Sequence, residues 1–177
     1  MSSKYDSTPL IPLGIAVLTV SDTRSLAQDT SGQFLADAVV DAGHQLLDRQ
    51  LIPDDVYRLR AVVSNWIADE RVDAVLVTGG TGFTARDVTP QALRPLFDRE
   101  IDGFSAVFHR LSYDEIDTST LQSRALGGFA NQTVIFCLPG STGACRTGWN
   151  GVLRSQLDSR HRPCNFVSHT RAMQRSG

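Results

Sequence analysis

The stretch that decides the fold is Val72–Pro90, VDAVLVTGGTGFTARDVTP, in which an apolar run leads into three glycines. The apolar run predicts a buried strand, and glycines at its end allow positive φ and a close approach of a ligand to the backbone. The Thr-Pro pair at 89–90 predicts the start of a helix whose free amides would face the loop. Arg86 supplies a fixed cation, and Asp87 supplies a carboxylate that can hold a hydrated divalent metal. The stretch therefore predicts a strand, a loop and a helix that bind a phosphate-bearing ligand together with magnesium.

Outside this stretch, strand and helix patterns continue to alternate. Short apolar runs predict further strands at 14–20, 44–52 and 133–138. Apolar residues at helical spacing predict helices at about 29–42, 54–67, 89–97, 104–111, 120–125 and 144–157. Alternation of this kind predicts an α/β fold, a three-layer α/β/α domain with a mainly parallel central sheet covered on both faces.

Length and composition bound the remaining possibilities. The 177 residues suit one domain at 14–158, with an N-terminal arm at 1–13 and an extended basic C-terminal tail at 159–177. A net charge of −2 gives no basic surface for nucleic acid, and no apolar run is long enough to span a membrane. Three cysteines without a CxxC pair favour free thiols. We therefore expect a cytoplasmic protein without nucleic-acid or membrane partners.

The carboxyl ends of the parallel strands predict where a ligand binds. Four polar or glycine-rich loops follow the predicted strands and should converge on one rim: 21–31, 53–55, 79–87 and 139–143. They supply the candidate substrate- and nucleotide-binding residues Ser21, Asp22, Asp29, Ser31, Gly79, Gly80, Thr81, Gly82, Arg86, Pro139, Gly140 and Ser141.

Two carboxylates, Asp54 and Asp87, are the candidate catalytic and metal-binding residues. Capping of the following helix is an equal alternative for Asp54, because Asp55 beside it could share that role. Capping explains Asp87 less well, since Thr89 already precedes Pro90 as a cap. Two carboxylates at one phosphate site suit Mg²⁺, which takes its remaining ligands from water and substrate oxygens.

Other interpretations of the loops remain open. Polar residues of the first loop could cap a helix or bind a polar heterocycle, and Ser141 could donate to a phosphate or finish a turn. The GGTG sequence at 79–82 lacks the lysine of a P-loop and the spacing of a dinucleotide fold, which disfavours a Walker ATPase and a nicotinamide dehydrogenase. A lone GGxG often serves tight packing only, but the Arg86-Asp87 pair behind it favours a ligand loop.

Several ordered motifs occur along the chain, at Thr78–Gly82, Arg86–Pro90, Leu138–Ser141, Leu51–Asp54 and Leu18–Asp22. Together they resemble molybdenum cofactor biosynthesis proteins of the MoaB/MogA type. Three more segments are similar to the MoaB branch in particular: 95–100, 119–125 and 162–166. The resemblance extends from about Gly14 to Asn165, nearly the whole chain, and implies a molybdopterin-binding, MogA-like fold.

The resemblance also implies an activity. Active members bind molybdopterin, transfer AMP from Mg-ATP to its phosphate and release pyrophosphate. The family's essential aspartates match Asp54 and Asp87, its glycine loop matches Gly79–Gly82, and its serine loop matches Ser141. These matches imply a molybdopterin adenylyltransferase, with Mg²⁺ as cofactor and with ATP and molybdopterin as substrates.

Two departures and one alternative accompany this expectation. Some MoaB-branch members lack the arginine–aspartate pair and are inactive, whereas this chain keeps Arg86 and Asp87. Thr142 and Gly143 replace the residues that usually follow the family's serine loop. The alternative is a non-catalytic oligomer that binds or stores molybdopterin for other enzymes of the pathway. The family implies a trimer or a hexamer built as a dimer of trimers.

Overall fold

A six-stranded mixed sheet organises the chain in the computed structural model, which describes residues 4–176. The strands are β1 (Gly14–Val20), β2 (Gln45–Ile52), β3 (Ala74–Thr78), β4 (Arg99–Glu100), β5 (Leu126–Ala130) and β6 (Thr133–Leu138). They lie in the order β2-β1-β3-β6-β5-β4. The first three strands and β6 run parallel, whereas β5 is antiparallel to β6 and β4 to β5. The predicted α/β fold with a mainly parallel sheet is confirmed.

Helices connect these strands and cover the sheet. They are α1 (Thr30–Asp41), α2 (Val56–Ala68), α3 (Thr89–Leu93), α4 (Asp102–Ile116), α5 (Thr142–Gly148), α6 (Arg154–Gln156) and α7 (Arg171–Arg175). A π-helix, Trp149–Leu153, joins α5 to α6, and short 3-10 turns lie at Leu26–Gln28, Arg94–Leu96, Asp117–Gln122 and Val167–His169. Within residues 4–176, none of these helices combines the length and the apolar character that crossing a membrane requires.

The core consists of two apolar layers, one on each face of the sheet. Because successive side chains of a strand point to opposite faces, β1 contributes to both layers. Its Ile15 and Val17 belong to the layer that also contains residues of α1, α4 and α5, whereas Leu18 belongs to the layer that contains Leu59 of α2. All seven residues of β1 are buried, as a parallel strand covered on both faces requires. This central strand therefore fixes the position of the loop that follows it.

Two strands, β4 and β5, have no counterpart in the sequence prediction. The predicted helix at 120–125 is wrong, because a 3-10 turn ends at Gln122 and β5 begins at Leu126. Strand β5 contains two glycines and only five residues, so the apolar pattern that would predict it is weak. A Cβ at Gly128 would lie 2.3 Å from the ring of Phe97, which explains why glycine is needed there. The sheet consequently gains an antiparallel edge.

The predicted extended tail at 159–177 is also wrong in its described part, since Gly177 lies outside the described residues. Residues 159–176 include the turn at Val167–His169 and helix α7. The Arg175 guanidinium donates to the buried Asp73 carboxylate at 2.6 Å, and Arg171 donates to the carbonyl of Ile67. The basic side chains therefore fold the tail onto the end of the sheet opposite the predicted ligand rim.

The predicted N-terminal arm runs beside this tail. Residues 1–3 lie outside the described part of the chain, and the rest of the arm is hydrogen-bonded. The amide of Asp6 donates to Arg160, and the amide of Arg162 donates to Lys4. Leu13 at the end of the arm is fully buried. Arm and tail thus pair along one side of the domain.

Candidate active site

A cleft of about 460 Å³ lies at the carboxyl ends of the parallel strands. The loops that follow β1, β2, β3 and β6 all contribute to it. Ten of the predicted site residues line the cleft: Ser21, Asp22, Asp54, Gly79, Gly80, Thr81, Gly82, Asp87, Pro139 and Gly140. The structure therefore brings together most of the residues that the sequence proposes as one site.

The glycine loop passes close to neighbouring backbone and side chains. Gly79 and Gly80 have φ angles of +104° and +64°, which side chains disfavour. A Cβ at Gly79 would lie 2.1 Å from the carbonyl oxygen of Val20. A Cβ at Gly80 would lie 2.4 Å from the Thr89 hydroxyl and 2.7 Å from Asp54 Oδ1. Glycine at these positions lets the loop approach Asp54 closely.

Asp54 is free of the capping role that its neighbour performs. Asp55 caps α2, with its Oδ1 accepting hydrogen bonds from the amides of Tyr57 and Arg58 at 2.9 and 2.8 Å. The capping interpretation of Asp54 is therefore wrong. Its Oδ1 is buried, and within residues 4–176 it has no hydrogen-bond partner. A buried acceptor without a donor is costly, so this oxygen is a candidate ligand for a cation.

The electrostatic surroundings of Asp54 agree with that role. Burial raises the pKa of Asp54 to about 6, with further contributions from the nearby charges of Asp22 and Asp87. Arg86 partly opposes this rise. The negative charges of Asp22 and Asp87 therefore act on Asp54, and positive charge is favoured beside it.

Asp87 is held by the residue three positions before it. Its Oδ2 accepts hydrogen bonds from the amide of Thr84 at 2.9 Å and from the Thr84 hydroxyl at 2.6 Å. Burial alone would raise the pKa of Asp87, but the hydrogen bonds from Thr84 and Gly82 and the charge of Arg124 together outweigh it and leave the pKa lowered. Thr89 is not the helix cap that the sequence suggests, because it begins α3 and its hydroxyl donates to the Gly79 carbonyl at 2.9 Å. Asp87 is therefore ionised and oriented.

Arg86 pairs with Asp22 in the loop after β1. Its Nη2 lies 2.7 Å from Asp22 Oδ2, and the Arg86 side chain is 67% exposed. The hydrogen bond from Arg86 is the main reason why the pKa of Asp22 is lowered. The other oxygen of Asp22 accepts a hydrogen bond from the Asp54 amide at 3.1 Å. Asp22 thus connects three loops of the cleft.

Three predicted binding residues have structural roles instead. Asp29 is 1% exposed, and its carboxylate accepts hydrogen bonds from the Gly32 amide at the start of α1 and from the Thr19 hydroxyl. Ser31 is fully buried and donates to the same carboxylate. Ser141 caps α5 by accepting from the Ala144 amide at 3.1 Å. Asp29, Ser31 and Ser141 do not line the cleft, because helix starts and the core use their polar groups.

Sequence reasoning missed two arginines at the site. Arg24 lines the cleft and donates to the Gly140 carbonyl at 2.9 Å. Arg124 lies beside the cleft and donates to carbonyl oxygens of the glycine loop. Gln122 and Ser123, just before it, line the cleft as well. The family resemblance of segment 119–125 is the one sequence signal that could have found these last three residues.

The carboxylates suit a metal that substrate oxygens help to bind. Across residues 4–176, no group of three or more His, Cys, Asp or Glu side chains is placed to hold a metal ion. Mg²⁺ commonly uses only one or two carboxylates, with water and substrate phosphates as its other ligands. The Asp54 and Asp87 pair, with the unpartnered Asp54 Oδ1, fits that kind of site.

Comparison with known proteins agrees with this architecture. Residues 16–159 match the family described as probable molybdopterin binding domain. Molybdenum cofactor biosynthesis protein B of Escherichia coli (strain K12) is 55% identical over 163 residues, covering 92% of this chain and 96% of that protein. A crystal structure of a molybdenum cofactor biosynthesis protein B superposes with a TM-score of 0.80 at 39% identity, covering 82% of this chain and 91% of that one. The tungsten cofactor synthesizing protein MoaB from Pyrococcus furiosus has a TM-score of 0.72 at 32% identity, covering 80% and 90%.

Proposed function

Since the chain belongs to the MoaB/MogA family of molybdenum cofactor biosynthesis proteins, we propose that it binds molybdopterin and adenylylates its phosphate with Mg-ATP. The reaction would release pyrophosphate and leave AMP on the pterin phosphate. The observation that carries this proposal is the buried, unpartnered Oδ1 of Asp54 between the glycine loop and two further carboxylates. A site built only to hold a pterin has no need for such a destabilising group.

Asp54 and Asp87 would hold the magnesium ion. Asp87 is kept ionised by the Thr84 hydrogen bonds, and the raised pKa of Asp54, about 6, still leaves most of this carboxylate ionised at neutral pH. Magnesium bound there would neutralise charge that develops on the substrate phosphate oxygens. The chain therefore supplies anionic ligands whose mutual repulsion a dication relieves.

Other groups of the cleft would position the phosphates. The backbone of Gly79–Gly82 forms one wall, and close approach to it is possible because Gly79, Gly80 and Gly82 have no Cβ. Arg24 and Arg86 place guanidinium groups on the loop after β1 and on the glycine loop. Guanidinium groups recognise phosphate oxygens in a fixed planar geometry. These cations would bind the parts of the phosphates that face away from the carboxylates.

The chemistry needs no covalent enzyme intermediate. An oxygen of the molybdopterin phosphate forms a bond to the α-phosphorus of ATP, while the bond from that phosphorus to the β-phosphate bridging oxygen breaks. The electron pair of the broken bond leaves with pyrophosphate, and the nucleophile is already an anion. Positioning and charge stabilisation by the chain therefore suffice for the proposed step.

A non-catalytic molybdopterin-binding or scaffolding oligomer is the second candidate. Exposed apolar side chains of α4 favour self-association, because Val107, Tyr113 and Ile116 are 47%, 51% and 51% exposed. A trimer, or a hexamer formed by two trimers, would bury such side chains. Either function could involve contact with other cytoplasmic enzymes of molybdenum cofactor biosynthesis.

Mass analysis of molybdopterin after incubation with the purified protein and Mg-ATP separates the two candidates. The adenylylated pterin and pyrophosphate are expected from the unaltered protein. Asp87→Asn and Asp54→Asn should both bind the pterin and lose most of the turnover, because each removes a metal-binding charge. Asp55→Asn is the matched control, since asparagine also caps helices and should leave turnover unchanged. Stoichiometric pterin binding without any adenylylation would select the scaffold.

A further inference from the structure

The loop from Gly82 to Asp87 has little apolar packing of its own. Its four central residues, Phe83–Arg86, are exposed, and Phe83 is 65% exposed. Within the loop, the Asp87 amide donates to the Thr84 carbonyl, while Thr84 donates twice to the Asp87 carboxylate. These bonds shape a local turn but do not attach it to the domain. The exposed ion pair from Arg86 to Asp22 is a weak attachment, because solvent screens it.

Arg124 attaches both ends of this loop to the domain. Its backbone amide donates to the Thr81 carbonyl at 2.8 Å. Its Nε donates to the Gly82 carbonyl at 2.9 Å, and its Nη2 donates to the Asp87 carbonyl at 2.8 Å. The guanidinium carbon also lies 5.2 Å from the centre of the Phe83 ring. One side chain therefore spans the distance between the entry and the exit of the loop.

The chemistry of this contact requires an arginine. A guanidinium group presents donors in a rigid plane, so two of them can reach two separated carbonyls at once, whereas a lysine ammonium is a single point. Among residues 4–176, no carboxylate forms an ion pair with Arg124. Its guanidinium donors therefore serve the loop carbonyls, and hydrogen bonds from a charged donor are strong.

We propose that Arg124 is a positioning residue of the cleft, which clamps the Gly82–Asp87 loop shut and so holds the Asp87 carboxylate towards Asp54. Opening the clamp frees the end of the loop that carries Asp87, and the divalent cation site loses one of its two anionic ligands. The consequence for metal binding rests on the proposed function, but the clamping of the loop does not. Arg124 touches neither the metal nor the reacting atoms in this role.

The chain contains a matched control. Arg60 also donates to two backbone carbonyls, those of Ala92 at 3.0 Å and Gln91 at 3.1 Å, and its guanidinium lies 5.8 Å from the ring centre of Tyr57. These contacts join α2 to α3 outside the cleft. Arg60→Ala therefore removes the same kinds of contact as Arg124→Ala without releasing the glycine loop.

The first measurement is amide hydrogen exchange of residues 82–88 in the full-length protein. Arg124→Ala should accelerate exchange of the Thr84 and Asp87 amides at least about tenfold, since each lost charge-assisted hydrogen bond is worth roughly that factor. Arg124→Lys should give an intermediate rate, and millimolar guanidinium should restore slow exchange in Arg124→Ala alone. Arg60→Ala should leave these amides unchanged.

The second measurement is the affinity for Mn²⁺ in the presence of ATP, followed by electron paramagnetic resonance. Arg124→Ala should weaken Mn²⁺ binding by about tenfold or more, with recovery on addition of guanidinium, because a missing planar cation can be replaced in the vacated space. Arg60→Ala should bind Mn²⁺ like the unaltered protein.

The outcomes are separable. Unchanged exchange in Arg124→Ala, equal effects of Arg124→Ala and Arg60→Ala on the loop amides, or failure of guanidinium to restore slow exchange would overturn the clamp. Faster exchange with unchanged Mn²⁺ affinity would overturn the link from the clamp to the cation site. If the unaltered protein bound no Mn²⁺ in the presence of ATP, the proposed function would be wrong. The amide exchange rates alone would then test whether Arg124 holds the loop.

Discussion

Replacing Asp54 by asparagine should stabilise the metal-free protein above neutral pH. Burial, with help from Asp22 and Asp87, raises the pKa of Asp54 from 3.8 to about 6, so the folded state disfavours its ionised form. For such a group, the stabilising contribution of the protonated form is complete below pH 3.8 and is lost as the pH rises through about 6. Above that range the unaltered protein has an unfavourable charge that asparagine lacks.

The size of the effect follows from the same pKa. A rise from 3.8 to about 6 corresponds to at most about 3 kcal/mol at about 1.4 kcal/mol for each pH unit. Solvent at the open cleft screens part of this cost, which reduces the expected gain to about 1–2 kcal/mol in the free energy of unfolding. For a chain of this length, the melting temperature should rise by about 2–4 °C for each kcal/mol.

The assay is urea unfolding of Asp54→Asn and the unaltered protein at one protein concentration with a chelator present. The difference in unfolding free energy should be largest at about pH 8, fall to about half at about pH 5 and nearly vanish near about pH 3. Saturating Mg²⁺ at the higher pH should narrow the difference, because the ion would stabilise only the protein that retains both carboxylates. Asp55→Asn, which leaves the cleft charges intact, should show no such pH dependence.

The refuting results are specific. If Asp54→Asn were no more stable than the unaltered protein at about pH 8, the buried charge would not be destabilising. If it were more stable by the same amount at every pH, the gain would come from packing and not from ionisation. Either result would remove the electrostatic argument for a cation at this position.

Three further predictions concern other parts of the molecule. Gly80→Ala should abolish adenylylation in the same mass assay, because the new methyl group would collide with Thr89 and Asp54 and the φ of +64° strains alanine. Gly143→Ala should retain adenylylation, because a Cβ at Gly143 would have no heavy atom within 4 Å. Arg175→Ala should lower the free energy of unfolding, measured by urea unfolding, by about 2–4 kcal/mol, because it leaves the fully buried Asp73 without its ion-pair partner. Adding Asp73→Asn to this variant should recover part of the lost stability, and no recovery would contradict the pairing. Burial lowers the pKa of His44, whose Nδ1 accepts a hydrogen bond from a backbone amide, so stability present above pH 6.5 should decline as the pH falls through the lower pKa of the folded state. His44→Asn should flatten this decline in melting curves recorded at several pH values, and an unchanged slope would contradict the prediction.

The sequence predicted the parallel part of the sheet because those strands have a clear physical signature. Runs such as Gly14–Val20 and Thr133–Leu138 are continuous and apolar, as strands covered on both faces must be. The antiparallel edge left no comparable signal. Leu126–Ala130 contains two glycines that exist to accommodate aromatic rings from elsewhere in the chain, and that requirement is visible only in three dimensions.

The candidate site was predictable to a similar extent. Position after a strand correctly placed Asp54 and Asp87 in the cleft, but it placed Asp29 there as well. Local sequence cannot decide whether a polar side chain turns outward or serves a helix start, since both uses favour the same residue types. Arg124 was missed for a different reason. It reaches the glycine loop from a segment about forty residues away, and no local pattern encodes that contact.

The different partners of Arg86 and Asp87 have a consequence for evolution. Although the two residues are adjacent in sequence, Arg86 pairs with Asp22, whereas Asp87 is oriented by Thr84. In related proteins, substitutions at position 86 should therefore accompany substitutions at position 22. Changes at position 87 should instead follow those at position 84. Two neighbouring residues of one motif thus belong to separate coevolving pairs, 86 with 22 and 87 with 84, and a lineage can lose one pair while it keeps the other.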